Sequence, residues 1–262
     1  MAKNVTVEIA DGVYWLNFGV LAGSVYLVRS ASGWALIDAS MAGREELIHA
    51  AIRAIAGEQP PEAILLTHVH PDHSGSAKEL ARRWNCPVFI HPHELALAVD
   101  RRLETIVRFS NPLDRGLIIP LLRLIPPRRR QRLLEVESLA AVARTLPPDG
   151  SVPVLSDWRY LHTPGHSPGH VVFFRERDRV LLAGDAVLTI DGGSLRWLLG
   201  WMLGDHRPRI APPPWYTNWD QGQVVASMAE LARLDPFVLA TGHGPPMAEA
   251  AATLRIASSL CR

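Results

Sequence analysis

The seven residues Thr67-His68-Val69-His70-Pro71-Asp72-His73 constrain this chain more than any other feature. Three His and one Asp crowd together directly after residues 63–67, an apolar run that reads as a short buried strand. Residues 75–84 follow and read as a helix. A loop from strand to helix lets closely spaced side chains converge on one point. Imidazole nitrogen and carboxylate oxygen are donors that suit zinc or iron. The fold therefore has to supply a sheet edge at which such donors can meet.

Three more segments repeat the pattern. His166 lies in Thr163-Pro164-Gly165-His166-Ser167-Pro168-Gly169-His170, Asp185 closes Leu181-Leu182-Ala183-Gly184-Asp185, and His243 sits in Ala240-Thr241-Gly242-His243-Gly244. Each lies beside an apolar run and next to a glycine that permits a sharp turn. One His after a strand is more often structural than a ligand. The recurrence of this arrangement at several strand ends argues for a shared site.

The rest of the sequence supports a layered α/β fold. Residues 13–18, 24–29, 34–38, 88–91, 158–162, 170–175, 179–183 and 237–240 read as strands. Residues 43–56, 94–100, 221–234 and 247–259 read as helices. Both types occur in each half, which predicts packed sheets with helices outside. The texture changes between Arg101 and Arg132, where nine Arg face only Glu104 and Asp114, a local excess of +7. Inside this stretch lies LIIPLLRLIPP, residues 117–127. It reads as an insertion of about residues 101–155 on the main fold. Residues 195–220 read as a long loop carrying Trp197, Trp201, Trp215, Tyr216 and Trp219.

Composition removes several classes. Lys+Arg total 27 and Asp+Glu 26 in 262 residues, so there is no general charge pull toward nucleic acid, and none is expected as a partner. Cys86 and Cys261 cannot build a disulfide scaffold or a cysteine zinc finger. No apolar run is long enough for a transmembrane segment, and the start lacks the pattern of a signal peptide. A cytoplasmic location is the expectation.

In the order and character of these motifs the chain resembles the metallo-β-lactamase superfamily of hydrolases, from the first strands to His243. The resemblance implies a four-layer αββα sandwich, here one domain over 1–262 with a helical, Pro-rich lid inserted at about 101–155. It implies two divalent metal ions, zinc first, with iron or manganese as alternatives. His68, His70 and His166 would hold one ion, Asp72, His73 and His243 the second, and Asp185 would bridge them. Asp38 matches an acid that supports the ligand loop, and His170 reads as a loop-supporting residue. The implied reaction is attack of a metal-bridged hydroxide on a carbonyl, with Asp72 orienting the nucleophile or carrying a proton.

A lactone, thioester or ester of a small molecule is the expected substrate class, ahead of a β-lactam. A glyoxalase II-like thioesterase for glutathione esters is the alternative. It is lowered because only 19 residues follow His243, too few for a helical glutathione-binding extension. A non-catalytic metal-binding or interaction protein that kept the fold is the rival from another class. The Leu/Ile run of the insertion and Trp197, Trp201, Trp215, Tyr216 and Trp219 are expected to wall an apolar pocket. The same insertion could instead form a homodimer contact or a membrane-surface contact.

Overall fold

The computed structural model describes residues 5–19, 22–136, 138–194, 197, 199, 200 and 207–260. Seven strands form the first sheet in sequence order: β1 (Val5–Ala10), β2 (Val13–Asn17), β3 (Ser24–Arg29), β4 (Trp34–Ile37), β5 (Ala63–Leu65), β6 (Val88–Ile90) and β7 (Ala143–Thr145). The first four run antiparallel as a meander, and β4 to β7 run parallel. The second sheet has β8 (Trp158–His162), β9 (Val171–Arg175), β10 (Val180–Leu182), β11 (Val238–Ala240) and β12 (Met247–Ala248), side by side in that order.

Strand β3 shows why the sheets are sandwiched. Its residues are buried on both faces because side chains alternate across a strand. Val25 and Leu27 pack with Ile48 and Ile52 of α1 (Glu45–Ala56) and with Leu80 and Trp84 of α3 (Ala77–Trp84). Tyr26 and Val28 face the other way and join Val171 and Phe173 of β9 and Leu182 of β10 between the sheets. Strand β9 repeats the division. Val172 and Phe174 turn outward against Val224, Met228 and Leu231 of α8 (Gln221–Arg233) and Leu254 of α9 (Ala251–Leu260). The layers are helix, sheet, sheet, helix, as expected. Among the described residues no helix is long and apolar enough to cross a membrane.

Several elements depart from the expected bounds. Met247–Ala248 pairs with β11 as β12, and α9 begins only at Ala251. Glu249, at φ 53°, separates the two because a left-handed residue cannot continue either element. Strand β7 lies within the expected insertion yet forms the far edge of the first sheet against β6. The chain outside the sheets is helical: α4 (Pro92–Val99), α5 (Leu103–Arg108), a π turn over Asp114–Ile118 running into α6 (Ile119–Leu124), and α7 (Pro127–Val136). Pro126 and Pro127 divide α6 from α7, with Ile125 extended as a residue before proline favours.

Strand direction then places the donor loops together. Strands β4 and β5 are parallel, so Asp38 and the loop after Leu65 leave the first sheet at one end. Strands β10 and β11 are also parallel, with Leu182 opposite Ala240. Asp185 and His243 each lie three residues beyond that pair, which sets them side by side. Strand β9 is antiparallel to β10, so the 163–170 loop that precedes it reaches the same end.

Candidate metal centre

The loop after β5 is shaped by proline. His70 is the N-cap of a single helical turn, α2 (Pro71–Ser74), with Pro71 at its first position. The turn carries His73 inward, where it is fully buried. Residue 242 must be glycine for the same crowding to work. A β-carbon there would collide with the Asp185 carboxylate and lie 2.6 Å from the His73 ring.

All seven predicted ligand residues meet at this edge. His70 Nδ1 lies 3.0 Å from both His68 Nε2 and His166 Nε2. His243 Nε2 lies 3.1 Å from Asp72 Oδ2, and His73 Nε2 lies 3.8 Å from the same oxygen. Asp185 stands between the two groups. Its Oδ1 is 3.4 Å from His73, and its Oδ2 is 3.4 Å from His166 and 3.5 Å from His243. His68, His70 and His166, and separately Asp72, His73 and His243, could each hold a metal ion.

Hydrogen bonds fix which ring nitrogens face inward. Asp38 accepts from the Thr67 backbone N–H and from the Thr67 hydroxyl, each at 2.8 Å. The Thr67 oxygen is therefore left to accept from His68 Nδ1 at 3.1 Å. Asp38 also accepts from His73 Nδ1 at 2.7 Å. His166 Nδ1 donates to Asn218 Oδ1 at 3.1 Å, and the Asn218 amide is oriented by donating to Pro213 O and Gln221 Oε1. Each of these rings spends its N–H away from the centre, so the neutral ring turns a lone pair inward. Carbonyl, hydroxyl and carboxylate partners of this kind fix the tautomer of metal-binding His.

Lone pairs this close repel one another unless protons or cations lie between them. Among the described residues, buried His73 Nε2 and Asp185 Oδ1 have no hydrogen-bond partner beyond their own 3.4 Å approach, although neither can reach water. A pair of divalent cations would satisfy both groups, and the donor set fits such a pair. The electrostatics divide in the same way. Burial pushes the His68, His70 and His166 rings below the usual histidine range, His166 to about 4, so these three are neutral and ready to ligate. Burial opposes charge on His243 as well, but the Asp185 and Asp72 carboxylates outweigh it and raise the ring to about 10. His73 is raised likewise against its burial, by Asp185, Asp38 and Asp72.

His170 is not aimed at the centre. Its Nε2 accepts from the Asp185 backbone N–H at 3.0 Å, and its Nδ1 bonds the Thr163 hydroxyl at 3.0 Å. It fixes the backbone of Asp185. His162 bonds the Pro168 carbonyl at 2.9 Å and groups with His91 and His93 away from the centre.

Two supporting residues carry no signal in the sequence. Asn218 is one. Glu94, on α4, is the other. Its carboxylate is buried and accepts from Val69 N at 3.2 Å and from Gly169 N at 2.8 Å. One side chain thus ties the 68–70 loop to the 166–170 loop. Burial raises its pKa, against the pull of those N–H groups. Glu94→Gln places an amide NH₂ against one of the two backbone donors. Metal affinity is expected to fall about 10–100-fold, as for loss of other groups that orient ligands, measured by competition with a fluorescent chelator. An unchanged affinity would remove Glu94 from the metal-holding apparatus.

A cavity of about 600 Å³ opens beside the donors. Its floor includes His70, Asp72, His166, Asp185 and His243, and its walls include Leu113, Leu188, Ile190, Trp197 and Tyr216. The expected aromatic wall is therefore only partly present. Trp215 is 66 % exposed and Trp219 is not among the lining residues, while Trp201 lies outside the described residues. The Trp219 backbone instead pins the donor loop by donating to His166 O at 3.1 Å. Asn111, which enters the cavity wall before the π turn, bonds Thr217 O at 3.2 Å and joins the inserted helices to the loop carrying Tyr216.

Known proteins resemble this chain in sequence and in fold. Probable metallo-hydrolase YflN of Bacillus subtilis is 34% identical over 92% of this chain and 86% of its own length. Acyl-coenzyme A thioesterase MBLAC2 of Bos taurus is 30% identical over 73% of this chain and 68% of its own. TTHA1623, solved in a di-iron-bound form, superposes with a TM-score of 0.56 at 27% identity over 95% of both chains. The model of the metallo-beta-lactamase superfamily matches residues 18–243, a span that opens at the end of the second strand and takes in every donor from His68 to His243. The chain belongs to that superfamily.

Proposed function

We propose that this chain is a two-metal hydrolase that cleaves the carbonyl ester-type bond of an apolar acyl compound, with a thioester or lactone as the first choice. The observation that carries this reading is an apolar-walled cavity whose floor is made of His and Asp donors. When bound by His68, His70 and His166 on one side and Asp72, His73 and His243 on the other, with Asp185 between, two divalent ions supply an acidified water and a Lewis acid for the carbonyl. Zinc is the first candidate, and the di-iron form of TTHA1623 keeps iron beside it.

The chain's own residues do the remaining work. Leu113, Leu188, Ile190 and Trp197 bind the acyl part and exclude water from it. Asp72, about one third exposed at the cavity floor, orients the attacking water and carries its proton toward the leaving group. His73 and Asp38 hold one side of this arrangement rigid. A glutathione ester is disfavoured because no Lys or Arg lines the cavity among the described residues to receive its carboxylates. The name of MBLAC2 as an acyl-coenzyme A thioesterase favours the thioester.

The test is a panel of acyl thioesters, lactones, simple esters and a β-lactam, assayed with protein loaded with zinc, iron or manganese. Turnover of an apolar thioester or lactone is expected, lost in His68→Ala. Absence of turnover across the panel by fully loaded protein would favour the non-catalytic reading.

A further inference from the structure

The inserted helices expose an apolar stripe that the core does not use. Leu113, Leu117, Leu121 and Leu124 recur at spacings of four, four and three along the π turn and α6, which places them on one helical face. Their exposures are 38, 50, 52 and 80 %, and Ile118 beside them is 39 % exposed. Ile119, on the other side, is buried and anchors the segment to the body. An exposed Leu row of this length on a packed domain marks a contact surface.

Charge identifies the partner. Arg123 lies on α6, and Arg128, Arg129 and Arg132 lie on the first turns of α7. All four are exposed, and among the described residues none has an ion-pair partner. A second copy meeting this face about a twofold axis would set one Arg cluster against the other. From 101 to 136 only Glu104, Asp114 and Glu135 could offset that repulsion, and Asp114 already caps Asn111. Apolar and cationic groups together on a short surface helix suit an anionic lipid interface, where Leu enters the acyl boundary and Arg meets phosphate.

We propose that the 113–132 face docks on anionic membrane surfaces. Leu113 belongs both to this stripe and to the cavity wall, so docking would bring the cavity mouth against the lipid. The docking itself does not depend on the hydrolase reading and is tested without turnover.

The full chain is sedimented with vesicles of equal parts phosphatidylglycerol and phosphatidylcholine, and separately with phosphatidylcholine vesicles. The bound fraction is expected to correspond to at least about tenfold tighter binding to the anionic vesicles, given several Arg at the surface. Raising salt from about 0.1 M to about 1 M should weaken it as screening shortens. The variant Leu117→Ser/Leu121→Ser/Leu124→Ser should lose binding to both vesicle types. The variant Arg128→Glu/Arg129→Glu/Arg132→Glu should lose the anionic preference. All six positions are exposed, and circular dichroism verifies that each variant is folded. Equal binding of wild type and Leu variant, or no binding to anionic vesicles at about 0.1 M salt, overturns the proposal. A dimer in sedimentation equilibrium that the Leu variant dissociates, without vesicle binding, overturns it in favour of a second copy.

Discussion

Asp185→Asn is expected to remove hydrolytic activity while leaving the fold in place. Asp185 is buried, and its two oxygens face His73 on one side and His166 and His243 on the other, at 3.4–3.5 Å. Asparagine has the same shape but no charge, and it turns an NH₂ toward imidazole lone pairs. The backbone N–H of residue 185 would still bond His170, so the loop should keep its course. Among the described residues no other carboxylate touches both donor groups in this way. The loss in kcat/KM should exceed the about 10–100-fold that follows removal of a merely supporting group. Metal content should fall to one ion per chain or fewer. Both quantities are read on one preparation, with circular dichroism as the control for folding. An Asp185→Asn protein that keeps two ions and most of its activity would show that the carboxylate does not join the two groups.

Asp38→Ala should have the largest effect on stability. The Asp38 carboxylate accepts three buried hydrogen bonds, from Thr67 N, Thr67 Oγ1 and His73 Nδ1. Alanine leaves all three donors buried and unpaired, and breaking a buried charged pair by removing one partner costs about 3–5 kcal/mol. The backbone adds to this, since Asp38 sits at φ 58°, where Asp and Asn are tolerated and alanine is strained. Asp38→Asn keeps the conformation and the shape, so it should be less destabilised than Asp38→Ala. Urea unfolding of the chelated proteins measures the difference. Equal stability of wild type and Asp38→Ala would mean that the three donors find other partners.

Much of this site could be read from the sequence because it is written in short segments. His68, His70, Asp72 and His73 share one loop, and the remaining donors each follow or precede a strand whose apolar run is plain. His170 could be placed by the same means, and Asp38 through the family resemblance. Glu94 and Asn218 could not. Each acts on a loop far away in sequence, Glu94 on Gly169 and Asn218 on His166, and an acid in the first turn of a helix or an Asn in a loop has many commoner reasons to be there. The tryptophans were the converse case. Their clustering predicts an aromatic wall, but whether a ring packs inward depends on turns that composition does not encode. Trp197 and Tyr216 reach the cavity, and Trp215 projects into solvent. Short edge strands such as β7 and β12 escaped for a related reason, since three or two residues carry no periodicity.

The two donor groups should also differ in how they compete with protons. His68, His70 and His166 are held neutral by burial, so the first ion displaces few protons near neutrality. His73 and His243 are raised by their carboxylates, so an ion entering there must displace protons, and its affinity falls as the pH is lowered.

The most direct test is elemental analysis of protein purified without chelator, with zinc, iron and manganese determined per chain at neutral pH and again under mild acid. Two ions per chain near neutrality, with one lost first on acidification, is the predicted result. One ion at every pH would remove Asp72, His73 and His243 from the ligand set. No ion, even after metal is added back, would contradict a metal centre at this sheet edge altogether.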